Sequence, residues 1–149
     1  MVWGAMAACG LSELAILEGK QDSEKYIYTL SENLLPFAHL NFGIDFIFQQ
    51  DNALIHTSKT TKEVLDEWGL QIMDWPACPP DLNLIENVWG ILSHAVYRGG
   101  RQFESTSELR TEILLQWKKI EISAAKKLVD TMKKRCLEVN KREGGACSY

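Results

Sequence analysis

No apolar run in the chain is long enough for a bilayer: the longest uncharged stretch at its start, Met1 to Ser12, is shorter than the roughly 18 to 20 apolar residues a spanning helix requires. Basic residues are missing ahead of Met6-Ala7-Ala8-Cys9, which has the small side chains of a processing site. No apolar stretch of about 7 to 15 residues fits before it, so the sequence carries no secretion signal and reads as intracellular. Cysteine pairing is missing as well. Cys9, Cys78, Cys136 and Cys147 lie 69, 58 and 11 positions apart, without the Cys-x-x-Cys spacing of zinc sites, which argues against a structural zinc and a disulfide framework. Internal repeats and low-complexity segments are absent too. What is present, 149 residues with 46% hydrophobic and 24% charged, has the composition of one globular domain.

The net charge of −4 conceals an asymmetry. Residues 1–97 hold 4 Lys/Arg against 13 Asp/Glu, and residues 98–149 hold 12 against 7, so the two parts carry −9 and +5. An acidic part can hold cations and a basic part can meet phosphate, although basic helix faces are often only solvated.

Two short apolar runs, Met1 to Cys9 and Leu14 to Leu17, read as buried strands. Tyr26, Leu30 and Leu34 then recur at helical spacing with Ile27 and Leu35, predicting an amphipathic helix that starts at Asp22 or Ser23 and ends before Pro36. Ile44 to Asp51 is β-branched and aromatic before turning polar, which predicts a strand delivering Asp51 at its C-terminal end. A helix from Thr57 or Ser58 through Trp68 stops at Gly69, and Leu70 to Met73 forms a short strand. Pro76, Pro79 and Pro80 impose a loop. Ile85, Val88, Trp89, Leu92 and Val96 share one helix face between Leu84 and about Tyr97, with Glu86, Gly90 and Ser93 opposite. Two further helices follow, about Ser107 to Ile120, with Leu109, Ile113 and Trp117 inward, and Ser123 to Asn140. The order is that of a single α/β domain over 1–149, with an acidic part (1–97) and basic C-terminal helices (98–149).

Asp51 at a strand end and Glu86 in the first turn of a helix stand where α/β sheets place ligands. Two carboxylates brought together there repel, and a hard divalent cation relieves the repulsion while keeping coordination sites for water and phosphate oxygens. Each residue also has a plain structural reading. Asn83 and Glu86 fit the N-cap and N3 positions of a capping box. Asp51-Asn52 fits a strand-ending turn, His56 fits a helix start, and Trp89 and Trp117 fit a core.

As strings, Gln49-Gln50-Asp51-Asn52-x-x-x-His56-Thr57-Ser58 and Trp75-Pro76-x-x-x-Pro80-Asp81-Leu82-Asn83-x-Ile85-Glu86-Asn87-x-Trp89-Gly90 resemble the Tc/mariner superfamily of DDE transposases. Met1-Val2-Trp3-Gly4, Glu24-Lys25-Tyr26 and Glu32-Asn33-Leu34-Leu35-Pro36 resemble further segments of that family, so the likeness spans nearly the whole chain. The 34 residues between Asp51 and Glu86 match the separation of the second and third members of the Asp-Asp-Glu triad in the Tc-like branch. Ala53-Leu54-Ile55 and Leu84 depart from it where proline is common.

The resemblance implies a ribonuclease-H-like fold holding two Mg²⁺ (or Mn²⁺) ions, which cut a strand at a transposon end and direct the freed 3′-hydroxyl onto target DNA. Asp51 and Glu86 would be metal ligands, Asn52 and His56 would shape the site, and Asp81 with Asn83 would hold the loop before the helix. The first triad aspartate is expected on a strand upstream of Met1-Val2-Trp3-Gly4, and the helix-turn-helix modules that read transposon ends are expected upstream too. The sequence therefore reads as a partial fold lacking its first strands, weak in metal binding and inactive alone. Its unpaired strand edges, at Val2, Trp3 and Phe46 to Phe48, favour re-pairing, dimerisation or aggregation. Partners implied are DNA, a second copy or a full-length transposase, without a membrane and in the nucleus. Lys118, Lys119, Lys126, Lys127, Lys133, Lys134 and Arg135 form a second candidate surface, a non-catalytic one touching DNA backbone. A generic α/β domain without a nucleic-acid role stands as a third reading.

Overall fold

The structure, a computed structural model, describes residues 1–74 and 82–141. The chain separates into two compact units, Met1–Ala5 with Ser12–Cys78 and Met6–Leu11 with Pro79–Tyr149. The break at 78/79 falls elsewhere than the charge boundary at 97/98, because the Leu84 helix groups with the basic helices.

Four two-residue strands open the chain: β1 (Val2–Trp3), β2 (Met6–Ala7), β3 (Gly10–Leu11) and β4 (Ala15–Ile16). In the first unit β1 pairs antiparallel with β4, Trp3 opposite Ala15. Ala5 instead faces Ser12, whose N–H reaches the Ala5 carbonyl at 2.9 Å. One side has advanced two residues and the other three, a one-residue bulge that the buried Ser12 hydroxyl fills by accepting the Ala5 N–H at 2.8 Å and donating to the Glu13 carbonyl at 2.8 Å. The continuous strand expected over Met1 to Cys9 is thus interrupted, and its paired residues are only half-buried.

Helix α1 (Ser23–Thr29) is capped by Asp22, which accepts the Lys25 N–H at 3.0 Å. Tyr26, Leu30 and Leu34 are buried as their spacing predicts. The helix does not end before Pro36. A π turn, Leu30–Leu34, carries the chain into α2 (Leu35–Phe42), with the Leu35 N–H bonded to the Leu30 carbonyl. The widened turn removes the carbonyl register that proline would break, so Pro36 sits in the first turn of α2, where its missing N–H costs little.

Strand β5 (Ile47–Phe48) runs parallel to β6 (Gln71–Ile72), and the Met73 N–H extends the pairing to the Phe48 carbonyl at 2.9 Å. The strand expected over Ile44 to Asp51 is therefore shorter, since ladder partners exist on one side only, and Asp51 lies in the loop beyond it. Among the described residues β1–β4 and β5–β6 remain separate two-stranded sheets, and Ile44 and Ile47 are exposed. Helix α3 (Lys59–Glu67) connects β5 to β6 along the chain. Ser58 caps its start, accepting the Thr61 N–H at 3.2 Å. Gly69, at φ +67°, ends it with the Gly69 N–H on the Asp66 carbonyl and the Leu70 N–H on the Leu65 carbonyl. Ala5, Tyr26, Leu30, Leu34, Leu65 and Leu70 form the core of this unit.

In the second unit β2 pairs antiparallel with β3. Helix α4 (Leu84–Val96) buries Val88, Leu92 and Val96 and leaves Glu86, Gly90 and Ser93 exposed, as the periodicity predicts. A 3₁₀ turn, Arg98–Gly100, with Gly99 at φ +72°, turns the chain toward α5 (Thr106–Lys118). Trp117 of α5 stacks on Trp89 of α4, ring centroids 5.2 Å apart, which settles both tryptophans as packing residues. Helix α6 (Ile122–Lys141) packs against β2, β3 and α4. None of the helices among the described residues is long and apolar enough to cross a membrane.

Candidate functional site

Asp51 is positioned by its own loop. Its Oδ1 accepts the Ala53 N–H at 3.0 Å, an Asx turn, and meets His56 Nδ1 at 2.6 Å. A carboxylate can only accept, so His56 Nδ1 carries the hydrogen of this bond. The Ala53 carbonyl receives the N–H groups of His56 and Thr57, which closes the loop just before α3. The Thr61 hydroxyl reaches back to the Ile55 carbonyl at 2.7 Å, and Ser23 of α1 donates to Ser58 Oγ at 2.8 Å. The loop is thus fastened to two helices, yet the Asp51 side chain remains 57% exposed, open to a ligand.

Behind Asp51 stands a pair of residues the sequence marked only as helix face and motif flank. The His56 ring stacks on Tyr26 of α1, with centroids 4.1 Å apart and planes inclined by 27°. Tyr26 Oη donates to Gln50 Oε1 at 2.5 Å, and Gln50 Nε2 donates to the His56 carbonyl at 3.4 Å. Burial, and then the negative charge of Asp51, push the Tyr26 phenol above its ordinary range. The available signal was a tyrosine in a leucine stripe, since a buried phenol needs a polar partner.

Glu86 is exposed in the first turn of α4. Asn83 is the N-cap of that helix, but its side chain makes no capping bond, so the capping box does not form. The Glu86 carboxylate has no partner among the described residues, and the Glu86 N–H bonds to the Asn83 carbonyl at 3.1 Å. Asn52 is exposed beside Asp51. Asp81 lies outside the described residues, as do Trp75, Pro76 and Pro80. No group of three or more His, Cys, Asp or Glu that could hold a metal ion occurs among the described residues.

Lys118, Lys119, Lys126, Lys127, Lys133 and Lys134 are exposed on α5 and α6. Arg135 departs from them. It lies on the inward face of α6, is 5% exposed, and donates from Nη1 to Asn87 Oδ1 of α4 at 3.0 Å and from Nε to Thr131 Oγ1 at 2.9 Å. Its guanidinium ties α6 to α4 and is withdrawn from the exposed lysines, because one helical step turns position 135 about 100° from position 134.

Residues 1–110 match the family described as DDE superfamily endonuclease. The transposable element Tc3 transposase of Caenorhabditis elegans is 36% identical over 149 residues, covering 100% of this chain and 45% of that protein. The Tc1 transposase of the same organism is 32% identical over 149 residues, covering 100% of this chain and 54% of that protein. The chain therefore spans about half the length of the curated relatives it matches. The Mos1 transposase catalytic domain, solved with raltegravir and Mg, superposes with a TM-score of 0.82 at 14% identity, over 99% of this chain and 76% of that one. The crystal structure of the catalytic domain of Mos1 mariner transposase gives 0.81 at 15% identity, over 99% and 75%. At that identity the shared property is the fold, the α/β ribonuclease-H-like arrangement that the two strings lead one to expect. The family match and the Tc3 and Tc1 relatives carry the rest, and the chain belongs to the DDE superfamily endonucleases as a transposase endonuclease domain of the Tc/mariner type.

Proposed function

We propose that this chain is the strand-cutting and strand-joining part of a DNA cut-and-paste transposase, with Asp51 and Glu86 as carboxylate ligands of Mg²⁺ or Mn²⁺. The observation that carries the reading is the state of Asp51: one oxygen is held by the Ala53 N–H and His56, and the side chain stays open to solvent in the loop after β5. Both carboxylates are hard oxygen donors and fit such an ion in kind. When bound, a divalent cation supplies charge neutralisation at the phosphodiester and a water of lowered pKa. The chain's own part is to hold donors: Ala53 and His56 fix one oxygen of Asp51, and helix α4 presents Glu86 from its first turn, with Asn52, Asp81 and Asn83 as supporting residues of the two loops. The substrate is DNA and the place of action the nucleus, which imaging of the tagged chain tests.

Mn²⁺ titration followed by electron paramagnetic resonance checks the assignment. Wild-type chain removes free Mn²⁺ signal, and Asp51→Asn and Glu86→Gln each lose that capacity with an unchanged circular-dichroism melt. Plasmid nicking by Mn²⁺, weak or absent for the chain alone and regained in assembly with a full-length transposase, follows the same two residues. Mn²⁺ uptake undiminished in either variant overturns the reading.

A second reading is supported by the six exposed lysines: a non-catalytic module bound to DNA backbone. Affinity then falls steeply with ionic strength, and each lysine removed lowers the slope of log K against log salt by about one. A salt-independent affinity rejects it and favours a protein partner, a second copy or a full-length transposase, held by apolar surface.

A further inference from the structure

The contacts behind Asp51 form a closed circuit. Gln50 is the residue before Asp51, and Tyr26 lies 24 positions away on α1. Tyr26 Oη holds Gln50 Oε1, the other end of that amide points to the His56 carbonyl, and the Tyr26 ring supports the His56 ring, whose Nδ1 reaches Asp51. A histidine on a solvent loop rotates freely about its side-chain bonds and, when neutral, carries its proton on either nitrogen. Here an aromatic face at 4.1 Å restricts the rotation, and that face is itself immobile, because Tyr26 is 4% exposed and packed in the core with Leu30 and Leu65. Phenylalanine would stack as well, but only tyrosine also fixes Gln50, and so the backbone entering Asp51.

We infer that Tyr26 is the positioning residue of Asp51: through its stack on His56 and its bond to Gln50 it holds the imidazole in the form with hydrogen on Nδ1, so that Asp51 Oδ1 is engaged and Oδ2 is left to a ligand. Among the described residues Oδ2 has no hydrogen bond. The functional meaning of this device rests on the reading of Asp51 as a metal ligand, but the device is testable without metal.

The experiment is long-range ¹H–¹⁵N correlation of histidine rings in the full chain at about pH 8.5, above the ordinary histidine range. The sequence has three histidines, so His39→Gln and His94→Gln identify the His56 signals. Wild type shows hydrogen on Nδ1 and a bare Nε2. Tyr26→Phe keeps the stack but loses the bond to Gln50, so it moves the His56 shifts only part of the way. Tyr26→Leu loses the wild-type pattern, the shifts moving to the averaged mixture of free histidine, and the Ala53 amide exchanges faster. A folded Tyr26→Leu protein with the wild-type His56 pattern overturns the inference. Because Tyr26 lies in the core, Gln50→Leu is the second arm: it releases Oη and the His56 carbonyl without opening a cavity, and is expected to shift His56 the same way by less. If Tyr26→Leu does not fold, an unshifted His56 in Gln50→Leu overturns the inference instead. Mn²⁺ separates the two readings. Added to wild type it broadens the Ala53 amide, and less so in Tyr26→Leu. Equal broadening in both overturns the positioning role and keeps the metal reading, whereas no broadening with the expected His56 pattern overturns the metal reading and keeps the positioning role.

Discussion

Asp51 in the first unit and Glu112 in the second are both carboxylates held by two neighbours, and they are held to opposite ends. Glu112, on α5, is 9% exposed; Gln116 Nε2 donates to it at 2.6 Å and Arg101 Nη1 at 2.8 Å. The hydrogen bond from Gln116 first, and then Arg101, keep its carboxyl below the usual carboxylate range. Arg101 also reaches Glu108 and lies 4.8 Å from the Phe103 ring centroid. A permanent cation closes that carboxylate. Asp51 receives a backbone N–H and an imidazole, and no lysine or arginine ion-pairs with it among the described residues. The difference teaches how one chain holds two carboxylates in two ways: Glu112 is neutralised from within by a cation, and Asp51 is oriented on one oxygen by a backbone N–H and an imidazole and left half open.

The comparison breaks most strongly when the support of Tyr26 is removed. Leu65→Ala opens a cavity in the core that carries Tyr26 and is expected to cost about 2–5 kcal/mol, read from the urea midpoint and slope. The second unit has its own buried anchor. Asn87→Ala takes away the acceptor of Arg135 Nη1 and is expected to cost about 1–3 kcal/mol in the same measurement. The helix starts sharpen the contrast. Ser58→Ala removes a working cap beside the Asp51 loop and costs about 1 kcal/mol, whereas Asn83→Ala before Glu86 removes no side-chain cap and changes stability by a few tenths of that. Equal costs for the two would deny that the Asn83 side chain is free of capping.

The smallest effects are those of pH. The Tyr26 phenol is raised in the folded chain, so the folded state keeps its proton where the unfolded state loses it. Its stabilisation is complete below about pH 10 and is lost as pH rises beyond that, a slope that Tyr26→Phe abolishes. Glu112 works the other way. Its stabilisation is present above the ordinary glutamate value and is lost as pH falls through the lowered one, and Glu112→Gln flattens that acid limb. Urea midpoints collected across the pH range read both slopes.

Much of this was legible in the chain. Helical spacing placed α1 and α4 and their buried faces, Asp22 and Ser58 acted as caps, and Gly69 stopped α3, because these are local effects decided within one or two turns. The two strings around Asp51 and Glu86 led to the family. Strand lengths were not legible: the apolar run from Ile44 forms only Ile47–Phe48, since a ladder extends only where another strand lies alongside. Pro36 misled because a π turn absorbed it. Arg135 read as one more basic residue, and its burial depends on Asn87, 48 positions earlier.

The sequence by itself determined where the helices α1, α3, α4, α5 and α6 lie, their order and the motifs that carry the family likeness, because periodicity, capping and motif spacing act over short stretches of chain. Only the tertiary structure decided which carboxylate is closed by a cation and which stands open, which asparagine caps nothing, and that a core tyrosine supports the histidine behind Asp51. Those outcomes rest on hydrogen bonds and ring contacts between residues distant along the chain, which exist only once packing has brought them within about 3 to 4 Å.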